Sequence, residues 1–253
     1  MPEFRILGPL DVTHSDQPLT PTPPKIRSVL ALLLLRANRI VSVESLIEEL
    51  WGPEPPRSAV TTVQTYIYHL RRLFAAGGLG TEDEPLITTR PAGYQIATGA
   101  GEVDAVVFEE LLSRGRDALE DGSMPEAAEL LRTALDLWTG PALADVPQGG
   151  LLQAHAVHLD ELRISAMELR IRADLKLGRH HSLIAELRSL THEHPLNEWF
   201  HGQLISALTR SGRRGEALQA YQDVRHVLSD ELGVDPSPAL QNLQRQVLSV
   251  GAG

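Results

Sequence analysis

Apolar residues in the first part of the chain recur with the period of strands and then with the period of a helix. Residues 4–8 and 10–13 alternate in polarity around Gly8-Pro9, which predicts small antiparallel strands. Pro23-Pro24 fixes φ where a helix can begin, and Asn38 is a suitable stop. The apolar face of this first helix is expected to consist of Ile26, Val29, Leu30, Leu33 and Leu34.

A second, shorter helix is predicted between Ser42 and Gly52-Pro53. Ser42 suits the N-cap position because its hydroxyl can accept from a free backbone N–H, and the helix dipole favours Glu44 in the first turn. The positions expected to face inward are Val43, Leu46, Ile47 and Leu50.

The third predicted helix, residues 58–74, has two contrasting faces. One is an apolar stripe at spacings of three and four, formed by Val60, Val63, Ile67, Leu70 and Phe74. The other carries hydrogen-bonding side chains and no carboxylate, namely Thr61, Thr62, Thr65, Tyr68, His69 and Arg72. Residues 86–97 then predict strand, turn and strand, with Arg90 at the tip of the hairpin.

The remainder of the chain is expected to be helical. Gly99-Ala100-Gly101 predicts a linker between two domains, residues 1–98 and 102–250. Gly178 and Gly212 are 34 residues apart, which is the tetratricopeptide period, and Gly122 starts the same register further upstream. Each glycine is followed by apolar or small residues at offsets of five, nine and twelve. We therefore expect stacked helical hairpins, with an insertion of about one helix's length after the first.

Charge is distributed unevenly between the two predicted domains. The net charge is −10, but residues 1–100 contain 9 basic and 10 acidic side chains, whereas residues 101–253 contain 14 and 23. Residues 25–72 carry seven basic and four acidic side chains, which permits contact with phosphates. The chain has no cysteine, so disulfides, thiolate metal sites and a thiol nucleophile are excluded. No apolar run is long enough to cross a bilayer, and a cytoplasmic protein is expected.

The polar face of the third helix is suited to reading DNA. An α-helix fits the major groove, where short donors, acceptors and methyl groups meet base edges. We expect Thr65 and His69 to approach bases and Arg90 to enter the adjacent minor groove. The residues expected to hold phosphates are Thr61, Thr62, Tyr68, Arg71 and Arg72. Such a face is ordinarily just solvated, but a helix-turn-helix followed by a basic-tipped hairpin favours the DNA-binding interpretation.

Specific runs of sequence carry a family resemblance. Residues 63–74 and 88–94 resemble the recognition helix and wing of the winged-helix output domain of bacterial response regulators. Residues 4–8, 24–27, 38–42, 50–52 and 135–143 resemble the Streptomyces antibiotic regulatory protein family. The resemblance extends over the whole chain. It implies an α+β fold, in which an N-terminal winged helix-turn-helix with small antiparallel sheets precedes an all-α tetratricopeptide-like bacterial transcriptional activator domain.

The resemblance also implies a function and partners. Members of that family activate clustered biosynthetic genes, including those for antibiotics, by binding short direct repeats of double-stranded DNA and contacting RNA polymerase holoenzyme. A homodimer on DNA is expected, because a second linked contact raises specificity. His69 stands where related response regulators often have Arg, so bidentate reading of guanine is lost at that position. No receiver domain with a phosphoacceptor carboxylate is expected before the winged helix.

An alternative from another functional class is a helical-repeat adaptor or effector-sensing protein whose winged helix mediates protein contacts. The acidic repeat domain is compatible with it. An enzyme is not expected, because no nucleophile–base pair or cofactor loop is found, and no cofactor is predicted. His155 and His158, His180 and His181, and His192 with His194 lack the ordered spacing of a metal site, so no metal is predicted either.

Overall fold

Two small antiparallel sheets and three helices make up the first part of the protein. A computed structural model describes residues 2–81 and 83–249. The first sheet has the order β1-β2-β3, formed by Glu3–Arg5, Asp11–His14 and Gln17–Pro18. The second sheet has the order β4-β6-β5, with β4 at Val41–Ser42, β5 at Ile87–Arg90 and β6 at Gly93–Ile96. The helices are α1 (Pro24–Leu35), α2 (Val43–Trp51) and α3 (Ala59–Ala76).

Helix α1 is the centre of this part of the core. It begins with Pro24, as the sequence predicts, and packs against α2, α3 and β6. Its apolar face is wider than the predicted stripe, because Ala31 and Leu32 are also fully buried. Phe4 of β1 meets Phe74 of α3 edge to face, with ring centroids 6.4 Å apart. The third helix is therefore fixed on its inner side by both α1 and the first sheet.

Helix α2 starts as predicted but buries a different set of residues. The Ser42 hydroxyl accepts from the backbone N–H of Ser45 at 3.0 Å, which confirms the N-cap. The predicted inward face was only partly right, since Leu46 is buried but Val43, Ile47 and Leu50 are half-buried. The unpredicted member is Glu49, whose exposure is 5%. Its carboxylate accepts from the backbone N–H groups of Gly149, Leu151 and Leu152.

The helical half confirms the predicted glycine register. Gly122, Gly178 and Gly212 have φ of 81°, 79° and 75°, and each lies in the turn between two helices. All nine residues at the predicted offsets are buried, namely Ala127, Leu131, Ala134, Leu183, Leu187, Leu190, Ala217, Tyr221 and Val224. The helices are α4 (Asp104–Glu120), α5 (Met124–Asp136), α6 (Gly150–Lys176), α7 (His180–Glu193), α8 (Glu198–Arg210), α9 (Arg214–Leu232) and α10 (Pro238–Ser249).

The predicted insertion after the first hairpin consists of a non-helical segment followed by a long helix. Residues 137–149 form a segment without a helix, and α6 then extends over 27 residues. The non-helical segment runs along the connection between β1 and β2, where Thr139 and Leu143 donate backbone N–H groups to the carbonyls of Leu7 and Ile6 at 2.9 and 3.0 Å. The extra length thus forms contacts with the first part of the chain instead of extending the repeat.

The chain divides into two compact units that do not coincide with a simple halving of the sequence. One unit consists of residues up to 116 together with 129–167, and the other of residues 117–128 together with those from 168 onward. Helices α1–α3 and both sheets therefore share a unit with parts of α4, α5 and α6. The domain limits 1–98 and 102–250 stay a prediction. No helix within the described ranges is long and apolar enough to span a membrane.

Three carboxylates hold the first unit together by accepting backbone N–H groups. Besides Glu49, Asp104 accepts from Ile6 and Leu7 at 2.9 Å, and Asp145 accepts from Leu10 at 2.8 Å and pairs with Arg27. Burial raises the pKa of Asp104, although the N–H groups that it accepts act in the opposite direction. Each carboxylate joins the N-terminal strands or α2 to a residue beyond position 100.

Replacing Glu49 by alanine tests the importance of these contacts. Glu49→Ala leaves three N–H groups near the start of α6, one of them buried and two part-buried, without their acceptor, so we expect the free energy of unfolding to fall by about 2–4 kcal/mol. Glu48 is exposed, and Glu48→Ala is the matched control, with an expected change within about 0.5 kcal/mol. Urea denaturation of both variants measures the difference, and equal stabilities would contradict the role assigned to Glu49.

Candidate nucleic-acid interface

The apolar stripe of α3 faces the core, and its polar face lies in solvent. Val63, Ile67, Leu70 and Phe74 are buried as predicted. The prediction for Val60 is wrong, since it is 49% exposed and Ala59 is buried in its place. The exposed side chains of the outward face are Thr61, Gln64, Thr65, Tyr68, His69 and Arg72. The helix contains no acidic residue.

Two threonine hydroxyl groups on this face donate hydrogen bonds to backbone carbonyls of their own helix. Thr62 Oγ1 donates to the carbonyl of Ser58, and Thr65 Oγ1 donates to the carbonyl of Thr61, each at 2.9 Å. Each hydroxyl therefore presents its lone pairs outward, beside its methyl group. Such a side chain can accept from the amino group of adenine or cytosine, or contact the methyl group of thymine. Thr65 is exposed and Thr62 is half-buried, so Thr65 is the more accessible of the two.

The C-terminal part of the same face combines two rings and one cation. Tyr68 is 55% exposed, and its ring centroid lies 5.9 Å from that of His69. The Arg72 guanidinium lies over the Tyr68 ring at 5.8 Å. Within residues 2–81 and 83–249, Arg72 forms neither an ion pair nor a hydrogen bond through its side chain. Its positive charge is therefore available to a phosphate.

Arg71 differs from Arg72 because it contacts the wing. Its Nε donates to the carbonyl of Ile87 and a terminal nitrogen donates to Thr89 Oγ1, both at 2.8 Å. The guanidinium also lies 6.0 Å from the Tyr94 ring of β6. Arg71 is half-buried and connects α3 to both strands of the hairpin. The phosphate contact expected of Arg71 stays a prediction. Two of the guanidinium's N–H groups already donate to the wing.

The hairpin itself is short and closely supported. Arg90 is the last residue of β5 and pairs with Gly93, so the turn consists of Pro91 and Ala92. A Cβ atom on Gly93 would lie 2.0 Å from the carbonyl oxygen of Val41, which explains the glycine. Strand β4, which the sequence patterns did not predict, pairs with β6 and holds the hairpin against the start of α2.

The position of Arg90 is set by Gln95 and Asn38, whose role at the wing the sequence did not predict. Arg90 Nε donates to Gln95 Oε1, and Gln95 Nε2 donates to the backbone carbonyl of Asn38, both at 2.8 Å. Asn38 has a φ of 63°, and its side chain exchanges hydrogen bonds with Thr98 at 3.0 Å. Arg90 remains exposed, and its terminal nitrogens have no hydrogen-bond partner among the described residues. The one sequence signal was Asn38 itself, a residue type that tolerates positive φ.

The arrangement as a whole favours an anionic partner. The exposed face of α3 and strand β5 carry Arg72 and Arg90 and contain no carboxylate. Among the described residues, no group of three His, Cys, Asp or Glu side chains is arranged to hold a metal ion. The face therefore offers cationic, hydroxyl and imidazole groups for contact with phosphates and base edges.

Comparison with known proteins places these features in a family. Residues 16–96 match the family described as "Transcriptional regulatory protein, C terminal", and residues 103–248 match "Bacterial transcriptional activator domain". These two matches define a winged-helix transcriptional regulator with an attached activator domain, which confirms the predicted fold class. The chain belongs to the Streptomyces antibiotic regulatory protein family of transcriptional activators.

Individual relatives support this assignment. The chain is 40% identical to "Regulatory protein DnrI" of Streptomyces peucetius over 99% of its own length and 93% of that protein. It is 41% identical to "Regulatory protein AfsR" of Streptomyces coelicolor, but spans 24% of that protein. The solved structure of Mycobacterium tuberculosis EmbR in complex with a low-affinity phosphopeptide has a TM-score of 0.90 and 34% identity. That likeness covers 98% of this chain and 65% of the EmbR chain.

The contact between Arg71 and the wing leads to a testable prediction. Arg71→Ala removes both hydrogen bonds to β5, and we expect a loss of about 1–2 kcal/mol of unfolding free energy. Hydrogen exchange at residues 87–96 should become faster, because α3 no longer holds the hairpin. Arg72→Ala is the matched control and should leave exchange in the hairpin unchanged. Equal exchange in the Arg71 variant and the parent would contradict the bridging role.

Proposed function

We propose that this protein activates transcription by inserting α3 into the major groove at direct repeats near a promoter. The regulated genes are those of a secondary-metabolite cluster, such as one for an antibiotic. The observation that supports the proposal best is the outward face of α3, where exposed hydroxyl and imidazole groups lie beside Arg72 and the helix has no carboxylate. Arg72 has no ion pair among the described residues. In this mode Thr65 and His69 approach base edges.

The remaining polar residues position the helix on the duplex. Phosphate contacts come from Thr61, Thr62, Tyr68, Arg71 and Arg72, which set the register without reading sequence. Arg90 enters the adjacent minor groove, whose negative potential attracts a guanidinium. Its hydrogen bond to Gln95 supports this role, because a fixed arginine loses less conformational freedom on binding.

The helical half provides protein contacts in this proposal. It recruits RNA polymerase holoenzyme, and two copies of the protein bind the two repeats as a homodimer in the cytoplasm. A single recognition helix reads few base pairs, and a linked second copy raises specificity because its contact becomes intramolecular. The acidic excess of residues 101–253 favours protein contacts over nucleic acid for this half.

A salt titration of the Arg72 variant tests the DNA-binding mode. We expect Arg72→Ala to weaken binding to all duplexes and to reduce the slope of log K against log salt by about 0.9, the value for one phosphate contact. Arg5→Ala is the control, because Arg5 lies in the other sheet and pairs with Glu3. Gel-shift titrations at several salt concentrations measure both. An unchanged slope for Arg72→Ala would remove this residue from the interface.

A comparison of one and two repeats tests the assembly. Fragments selected from a random duplex pool by the full chain should contain two copies of a short half-site in direct orientation, about one helical turn apart. Duplexes with one copy should bind at least tenfold more weakly. Analytical ultracentrifugation should give two chains per selected duplex. Failure to enrich any sequence, with a correctly folded protein, would favour the adaptor interpretation, in which the winged helix contacts protein only.

A further inference from the structure

A cavity of about 340 Å³ in the second compact unit is lined by several basic side chains. It lies among the end of α6, the first residue of α7 and one face of α8. The lining residues that matter here are Arg172, Lys176, His180, Trp199, Ser206 and Arg210. Trp199, Ser206 and Arg210 follow helical spacing, so α8 presents an indole, a hydroxyl and a guanidinium on the same side.

The cations of this pocket are uncompensated, unlike other arginines of the same unit. Within the described residues, Arg172 and Lys176 have no ion pair or side-chain hydrogen bond, and the side chain of Arg210 contacts only His180. No carboxylate lines the cavity. The arginines of this unit that do form ion pairs with Asp or Glu are Arg170, Arg179, Arg188 and Arg213.

A neighbouring cavity shows what a compensated pocket looks like. A space of about 400 Å³ in the same unit is lined by Arg188 together with Glu216 and Asp223. Arg188 and Glu216 form an ion pair there, at 2.5 Å. The two cavities differ little in size, but only the one beside Trp199 has a net positive lining.

The cations of the pocket are exposed to solvent, and two of them repel each other weakly in the absence of a ligand. Arg172 and Lys176 lie four residues apart on α6, where like charges repel. Arg210 donates to His180 Nε2 at 3.3 Å, so Nδ1 of that ring carries the hydrogen. That Nδ1 is buried and has no hydrogen-bond partner among the described residues. Burial and the nearby Arg210 both lower the pKa of His180, which keeps the ring neutral.

We propose that this pocket binds a small phosphate ester that carries a flat ring, such as a nucleotide. Arg172, Lys176 and Arg210 hold the phosphoryl oxygens, since guanidinium groups match phosphate geometry and form charge-assisted hydrogen bonds. Trp199 packs against the ring, and Ser206 offers a further donor. The cavity volume lies within the range typical of small-molecule sites. This ligand site is independent of the DNA interface, and its test does not involve DNA.

Calorimetry with the full chain tests the proposal. The probes are adenosine 5′-monophosphate, inorganic phosphate and adenosine, at low ionic strength. We expect the nucleotide to bind most tightly, phosphate more weakly and adenosine not measurably. Arg172→Gln should weaken nucleotide binding at least tenfold, as expected for the loss of one charge-assisted contact. Arg225→Gln removes the same charge from an exposed position on α9 outside the cavity and should leave binding unchanged.

Thermal unfolding provides a second readout. Without an anion, Arg172→Gln should be at least as stable as the parent, because one repulsive charge is gone. Phosphate should raise the Tm of the parent and of Arg225→Gln, but raise that of Arg172→Gln much less. Equal effects of the two substitutions would overturn the site and indicate general charge attraction. Tighter binding of an acidic peptide than of the nucleotide would overturn the assigned ligand.

Discussion

The Glu49 carboxylate, buried between α2 and the start of α6, is the contact on which the geometry of the first unit depends. It accepts three backbone N–H groups, at Gly149, Leu151 and Leu152. The first N–H groups of a helix have no partner within the helix, and the dipole favours a negative charge beside them. The side chain of Glu49 therefore accepts the free N–H groups at the start of α6 and at the same time fixes the position of α2. Because α2 packs against α3, the position of the exposed helix face depends on a contact a hundred residues further along the chain.

Asp104 and Asp145 extend the same principle to the N-terminal strands. A carboxylate removed from water is costly unless it is hydrogen-bonded, and Asp104 accepts from the backbone N–H groups of Ile6 and Leu7, just after β1. Asp145 is exposed and accepts from the N–H of Leu10, just before β2. The raised pKa of Asp104 shows that burial outweighs the effect of the N–H groups that it accepts. The regions matched by the two families are thus not separate bodies within this unit. Residues 104–116 and 129–167, which lie in the activator-domain match, support the winged helix.

Local periodicity was enough to predict much of the fold. The Ser42 cap depends on residues three positions apart, and the glycine register depends on one hairpin at a time. Both are confirmed. The burial of Ala59 instead of the predicted Val60 shows the limit of helical periodicity. At 100° per residue, both positions lie about 50° from the centre of the apolar stripe of α3. Periodicity alone cannot choose between them, and the neighbouring elements decide which is covered.

The missed features of the site all involve partners that are distant in sequence. A glutamate within a helix is usually exposed to solvent, and nothing within α2 indicates that the N-terminus of another helix will cover Glu49. Arg71 and Arg72 are neighbouring residues of the same type, and the sequence does not distinguish them. Only Arg71 reaches Ile87 and Thr89, because that contact depends on how the hairpin packs on α3. Gln95 can hold Arg90 because its own side chain is fixed by the backbone carbonyl of Asn38, a residue far from it in the sequence. Pairings of this kind follow from tertiary structure, which local patterns do not encode.

The lengths of the exposed side chains constrain how the proposed DNA contact can be made. Thr65 is short, so it reaches a base edge only if the backbone of α3 lies deep in the groove. Tyr68 and Arg72 are longer and can reach phosphates at the groove edge from the same helix. His69 offers a single ring nitrogen toward a base where a guanidinium would offer two donors, so discrimination per half-site is modest. A second linked copy of the protein on a repeated site would compensate for that weakness without new base contacts, which supports the proposed binding to repeated half-sites.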